Sequence, residues 1–494
     1  MKRQYLPIEA LPAWARLNGI TFNGVAFQRF RSEDGTDKGS GVVATETKFG
    51  GDPENEDTGP EILITVPRDM VLSLGLVESY AKSDRYLKEV LEAVGDHGRT
   101  ARGAILIFLL LQITYSSPDF EDGRQRIGVS NPWSEYIKFL PASVPLPTFY
   151  TDEERELLHG TSLKAAVDAK ISSLEREFEN LRKCTEGIPW CNRDWWDEET
   201  GKLRFDDWKQ VDAMYRSRAL DLPGTGHAMV PCVDMANHAS GDATVALYET
   251  DGDGNAVLQL RYGKKLQAGD EVTITYGDEK GASEMIFSYG FLENEVTDAR
   301  QLFLGLDIPD DDPLKLAKRS FCSDAPGVRL YISPGSETTG WESPFVWWAC
   351  VNEEDGLEFR VLQTHDGKKE LKATWKGNDI GPSDSLKDII ATDPLWDVFQ
   401  LRAVVIILER LETQLSVLQE TDKSIPSPDQ DGSPSGTRIR SDVYQNIMKL
   451  RKLEADLLER GIRDLEKTRD NLIASDAVVA YFNRQSDGAE EDFS

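Results

Sequence analysis

Two β-rich stretches, at about residues 20–75 and from about 225 onward, are held apart by some 120 residues of helical pattern. In the first stretch, Lys38-Gly-Ser-Gly-Val-Val-Ala44 is a glycine turn feeding a strand, and Glu61-Ile-Leu-Ile-Thr-Val-Pro67 is a short β-rich run closed by proline. Helical spacing takes over from about Leu76 and persists to about Leu220, after which β character returns. The helical block therefore reads as an insertion within a domain. The expected class is α+β, a β-rich core split by helices.

A change of character after Glu295 marks a further domain. Residues 300–375 mix short apolar runs with Gly, Asp and Pro, whereas Leu395–Leu418 and Val443–Leu465 carry long apolar stripes at helical spacing. Between those helices, Ser424-Ile-Pro-Ser-Pro-Asp-Gln-Asp-Gly-Ser-Pro-Ser-Gly436 has the composition of a disordered linker. Two helices around a flexible loop predict an antiparallel hairpin. The expected layout is a core domain over 1–300 with its insert at about 80–205, then a mostly helical domain over 301–485 with a disordered loop at about 421–438. An acidic, irregular tail over 486–494 ends the chain.

At 494 residues the chain exceeds what one hydrophobic core serves, which agrees with more than one domain. Its formal net charge of −30 argues against nucleic acid, whose phosphates would be repelled, and favours basic partners. Surplus carboxylates that only keep the protein soluble are the plainer explanation. The five cysteines have no metal-binding spacing, so no metal is expected, and reduced thiols in an intracellular protein are. The first residues lack an apolar signal core. The strongest apolar run, Ala104–Ile113, is too short to cross a bilayer and predicts a buried helix. The expectation is a monomer without membrane contact, cytoplasmic and/or nuclear.

Three segments carry chemistry in a fixed order. Met229-Val-Pro-Cys-Val-Asp-Met-Ala-Asn-His238 is an apolar run, read as a strand, that closes on an Asn-His pair. Gly269-Asp-Glu-Val-Thr-Ile-Thr-Tyr276 alternates as a half-buried strand does, and Ser283-Glu-Met-Ile-Phe-Ser-Tyr289-Gly-Phe291 reads as a helix with Ser283 as its cap. An Asn amide both donates and accepts, which suits an adenine edge or an amino-acid head group. Taken singly, Tyr276 is an ordinary strand aromatic, and Arg218 a surface or salt-bridge residue. A loop at Asp251-Gly-Asp-Gly-Asn255 begins like a calcium loop but lacks the terminal Glu, and reads as a hairpin turn whose Asn and Asp tolerate positive φ.

Together these segments resemble the SET-domain protein methyltransferases, in the branch of Rubisco large-subunit methyltransferase and the fungal ribosomal-protein lysine methyltransferases. Trp133-Ser-Glu-Tyr-Ile-Lys-Phe-Leu-Pro141 and Leu157-Leu-His-Gly-Thr-Ser162 are similar to motifs of that branch's helical insert. The resemblance implies S-adenosylmethionine as methyl donor, held by Lys38, Gly39, Ser40, Arg218, Asn237, His238 and Tyr289. It implies Tyr276 as the catalytic residue, Asp234 and Tyr248 on the substrate side, and a C-terminal substrate-docking domain.

The implied activity is protein-lysine N-methylation of a basic, non-histone substrate, a ribosomal protein or similar. Methyl transfer from a sulfonium is an in-line displacement, so positioning and desolvation dominate. A lysine amine costs roughly 4–5 kcal/mol to deprotonate at neutral pH. An apolar aromatic channel beside the cationic sulfonium lowers that cost, with no dedicated base or metal. A protein-histidine nucleophile, or a catalytically silent SET protein serving as a binding module, are the alternatives.

Overall fold

The computed structural model describes residues 1–31, 37–52, 60–120, 131–333, 335, 338–363, 369–381, 384–425 and 439–491; of 31, 37, 38 and 485–491 it describes the backbone alone. The chain divides into two compact units. One comprises Met1–Phe149, Val167–Glu279 and Phe287–Glu293; the other comprises Tyr150–Ala166, Lys280–Ile286 and the chain from Asn294.

In the first unit, Ile62–Val66 pairs antiparallel with Ala256–Leu260, with Thr65 opposite Val257 and Ile64 opposite Leu258. These strands come from opposite sides of the helical insert, so one sheet is assembled across it. Thr21–Phe22 and Ala246–Thr250 complete four strands. Leu63 and Ile64 are adjacent and both fully buried, so this strand is covered on both faces, which suits a sequence apolar at every position but Thr65.

The insert contributes Leu74–Ala81, Arg85–Ala93, Ala101–Ser116, Ser162–Thr185 and Phe205–Arg218. In Ala101–Ser116 every residue from Gly103 to Thr114 is buried, and the Thr100 hydroxyl accepts the Gly103 N–H to cap it. A helix apolar all round belongs in a core, at about 1.5–3 kcal/mol for each large aliphatic side chain buried. The buried Asp212 carboxylate accepts from Arg102 and Lys170, each at 2.7 Å, and so ties three insert helices together. Among the described residues no helix is long and apolar enough to cross a membrane.

Local expectations fared unevenly. Asp251–Asn255 is a hairpin turn, with the Asp251 carboxylate accepting the Asp253 and Asn255 N–H groups; Gly254, rather than Asn or Asp, takes the positive φ of 83°. Lys48–Phe49 pairs with Lys265–Leu266. Ser283 does not cap its helix, which spans Ala282–Tyr289: the Ala282 N–H is already bonded to the Ala299 carbonyl, starting the helix one residue earlier.

The second unit holds two three-stranded antiparallel sheets that sequence spacing left unassigned, Gln301–Gly305 with Gly327–Ile332 and Thr339–Glu342, and Leu357–Gln363 with Lys369–Trp375 and Asn378–Ile380. Its long helices, Trp396–Asp422 and Ser441–Ile473, run antiparallel: Arg451 meets Leu418, Thr421 and Asp422, while Gly461 lies against Leu411. Most of the linker between them, 426–438, lies outside the described residues. The last helix continues to Glu491, where an irregular tail was expected.

Tyr150–Ala166, expected in the insert, belongs to the second unit for a polar reason. Thr151 and Glu154 form a capping box, and the Glu154 carboxylate also takes the Arg440 guanidinium at 2.7 and 2.8 Å. Arg451, 2% exposed, donates to the Leu157 carbonyl at 3.0 Å and to His159, and Glu454 accepts from Ser162.

Candidate active site

The chemistry-bearing segments meet in the first unit through a very short parallel pairing. Asn237–His238 lies beside Thr273–Ile274, with Thr273 opposite Asn237 and Ile274 opposite His238. Neither strand exceeds two residues. Side chains supply the rest of the cohesion.

The apolar run before Asn237 is not the strand that its sequence suggested. Val233–Met235 is a 3-10 turn, entered through Cys232 at φ 72°. A non-glycine residue there costs on the order of 1–3 kcal/mol. The buried Tyr136 hydroxyl holds it, accepting the Cys232 N–H at 3.0 Å while donating to the Asp234 carboxylate. Asp234 is thereby sealed beneath the site, its side chain without solvent exposure. Burial pushes its carboxyl up to about 6, against the opposing pull of Arg218. The carboxylate, expected on the substrate side, faces Tyr136 and Arg218. Arg218 donates to the Asp234 carbonyl at 2.8 Å and stands 3.7 Å from its carboxylate.

Above this base the aromatic rings close up. Tyr276 stacks on His238 (centroids 5.1 Å, 24° between planes) and packs against Tyr289 at 4.4 Å. The Tyr276 N–H donates to His238 Nδ1 at 3.0 Å, so the neutral ring carries its proton on Nε2, facing Ser240 Oγ at 3.3 Å and Glu293 at 3.4 Å. Glu293 also accepts both the N–H and the hydroxyl of Ser240. The Tyr276 hydroxyl donates to the Ala236 carbonyl at 3.0 Å, and the Tyr289 hydroxyl to the Tyr276 carbonyl at 3.4 Å. Burial pushes the Tyr276 phenol up to about 12, so it stays protonated at neutral pH.

Asn237 gives its amide N–H to Glu271 at 2.7 Å. Gly41 lies against this pair: a Cβ there would come within 2.7 Å of Asn237 Nδ2 and 2.9 Å of Glu271 Oε1. In the Gly-Ser-Gly turn it is thus Gly41 that close approach demands. Gly39 has φ 87° with open space where a Cβ would be, and Gly39 and Ser40 lie on the strand Asp37–Ala44, opposite Phe30 and Arg29. The Lys38 side chain lies outside the described residues. Tyr248, opposite Leu258 on the four-stranded sheet, makes no hydrogen bond to Tyr276; its nearest charges are Asp221 and Glu249.

Asn237, His238, Tyr276 and Tyr289 are therefore brought together, with Arg218 beside them. Sequence spacing missed Tyr136, Glu271, Glu293 and Gly41. Tyr136 and Glu271 sit inside motifs already visible, whereas nothing local marks Glu293. Arg218 Nε is buried with no acceptor, a spare donor suited to a carboxylate-bearing ligand. Among the described residues no cluster of His, Cys, Asp and Glu could hold a metal, and all five cysteines are free thiols.

No protein-family model matches the chain. The SET domain-containing protein 8 of Schizosaccharomyces pombe is 27% identical over 437 residues, covering 87% of this chain and 91% of that protein. The actin-histidine N-methyltransferase of Xenopus tropicalis is 21% identical over 487 residues, covering 95% and 71%. The crystal structure of the SET domain of LSMT bound to lysine and AdoHcy superposes with a TM-score of 0.57 at 16% identity, over 94% of this chain and 92% of that one. The fold is the SET fold, split by its helical insert, and the chain is similar over nearly its whole length to SET-domain proteins.

Proposed function

We propose that the chain is an S-adenosylmethionine-dependent protein N-methyltransferase whose nucleophile is a lysine side-chain amine. The observation that carries this reading is the Tyr276 hydroxyl, committed as a donor to Ala236 inside a stack of three rings. Because its proton points at Ala236, its lone pairs remain to accept from an incoming amine and from a polarised methyl group. A phenol at about 12 is no general base; it orients and desolvates. Aromatic faces suit an amine that arrives as an ammonium. S-adenosylmethionine supplies an electrophilic methyl on a sulfonium. On this reading Arg218, with its unpartnered Nε, and Asn237 hold its amino-acid end, and Gly41 leaves room for close approach.

Histidine is the second reading, favoured by the relative that modifies actin histidine along nearly the whole of this chain. The two nucleophiles differ in protonation. A lysine must lose a proton, so its transfer rate rises with pH towards about 9–10; an imidazole is already neutral, so the rate levels off above about 7. Labelled methyl transfer into a cell lysate, with mass spectrometry of the modified peptide and a pH–rate profile on it, separates them. Cofactor binding without transfer to any protein would leave the silent binding module as the surviving account.

A further inference from the structure

The second unit contains a cavity of about 550 Å³, a size typical of ligand-binding pockets. Its walls include Trp341, Trp347, Trp348 and Trp396. Trp347 stacks on Trp396 at 5.0 Å and 28°, and Trp341 lies 6.0 Å from Trp347. Trp347 and Trp348 are only 4% and 3% exposed, yet none of the four indole N–H groups donates to an acceptor among the described residues. The Gln400 amide, also in the wall, is without a partner as well.

Charge gives the cavity a sign. Asp324, Glu342 and Asp384 line it against a single lining cation, Lys387; Glu342 also pairs with Arg329 at 3.0 Å through one oxygen. Lys387 forms no ion pair among the described residues; its ammonium lies 5.8 Å from the centre of the Trp347 ring. One indole face is thus already in use as a cation acceptor.

We infer that this cavity is a docking site for a basic peptide segment of the protein substrate, distinct from the residue that is methylated. The inference rests on the reading of the chain as an enzyme for a protein. Each part of such a segment has a counterpart. Lysine or arginine heads meet the carboxylates, their aliphatic stems lie along the indoles, and main-chain carbonyls accept from the free indole and amide N–H groups. A chain of net charge −30 adds long-range attraction for the same partner.

The test is calorimetric titration of the full chain with a capped eight-residue peptide alternating Lys and Gly, and with its Glu-Gly counterpart. The wild type is expected to bind the basic peptide alone. Asp324→Lys with Glu342→Lys, both exposed positions, should weaken binding on the order of tenfold. Lys387→Met should bind at least as tightly as wild type. No binding by the wild type, equal binding after the charge reversal, loss of binding in Lys387→Met, or preference for the acidic peptide would overturn the inference. S-adenosylmethionine titrated into the same proteins reports separately on the site in the first unit, so failure of one reading is distinguishable from failure of the other.

Discussion

Asp234 and Glu454 are both fully buried carboxylates, one in each compact unit, and each accepts from a hydroxyl with an arginine close by. Their arginines behave differently. Arg451 gives its N–H groups to the Leu157 and Leu418 carbonyls, to Thr421 and to Asp422, and so closes three chain segments into one scaffold. Among the described residues Arg218 makes its polar contacts to Asp234 and Met235 and keeps Nε unpartnered. The same buried pairing of charges thus serves cohesion in one unit and leaves an open donor in the other.

The largest expected effect tests that contrast directly. Arg451→Met leaves buried carbonyls without donors and should cost about 3–5 kcal/mol in denaturant unfolding. Arg218→Met should cost less stability yet abolish S-adenosylmethionine binding in a titration. Equal destabilisation by the two would erase the distinction between scaffold and site.

Next in size, Tyr276→Phe removes one hydroxyl from the ring stack. It should lower the methyl-transfer kcat by on the order of 10²–10³-fold, while unfolding shows a loss of only about 1 kcal/mol for the Ala236 hydrogen bond. A variant with wild-type kcat would strip the tyrosine of its assigned role.

The most gradual effect compares the carboxylates by pH. Burial raises Asp234 to about 6 and Glu454 to about 7 in the folded protein. A group raised on folding stabilises fully below its unfolded value and loses that contribution as pH climbs through the folded one. Stability should therefore fall between about pH 4 and 6 on account of Asp234, and between about 4.5 and 7 on account of Glu454. Within each window the slope is up to ~1.4 kcal/mol per pH unit. Asp234→Asn and Glu454→Gln should each remove their own window and keep the other's. Thermal unfolding across that range reads both.

The legible parts of this molecule were those with long periodicity. The helices at Trp396–Asp422 and Ser441–Ile473 follow from apolar stripes, and the split core from β-rich segments on either side of an insert. Two-residue strands carry no period at all, so the Val230–Ala236 run was misjudged as a strand when a side-chain network bends it into a turn. Site residues were recoverable where they sit in ordered motifs, as Asn237, His238, Tyr276 and Tyr289 do. Glu293 was not, because its role arises only when distant segments meet. The six strands between Gln301 and Ile380 were obscured by short runs broken with Gly and Asp.

The sheet assembled across the insert also sets an order of events during synthesis. Val66 and its partner Ala256 are 190 residues apart (256 − 66), so at about 5–20 residues per second the earlier strand waits ~10–40 s on the ribosome for its neighbour. During that interval one edge of the Leu63–Ile64 segment is unpaired and apolar, a template for wrong partners. The insert helices, whose contacts are local, can form first and cover one face while the chain emerges. Thr273 is made after Ala256, so the Asn237–Thr273 pairing becomes possible only once the waiting strand's partner has been synthesised. The nascent protein is therefore most exposed to aggregation before its reaction centre exists.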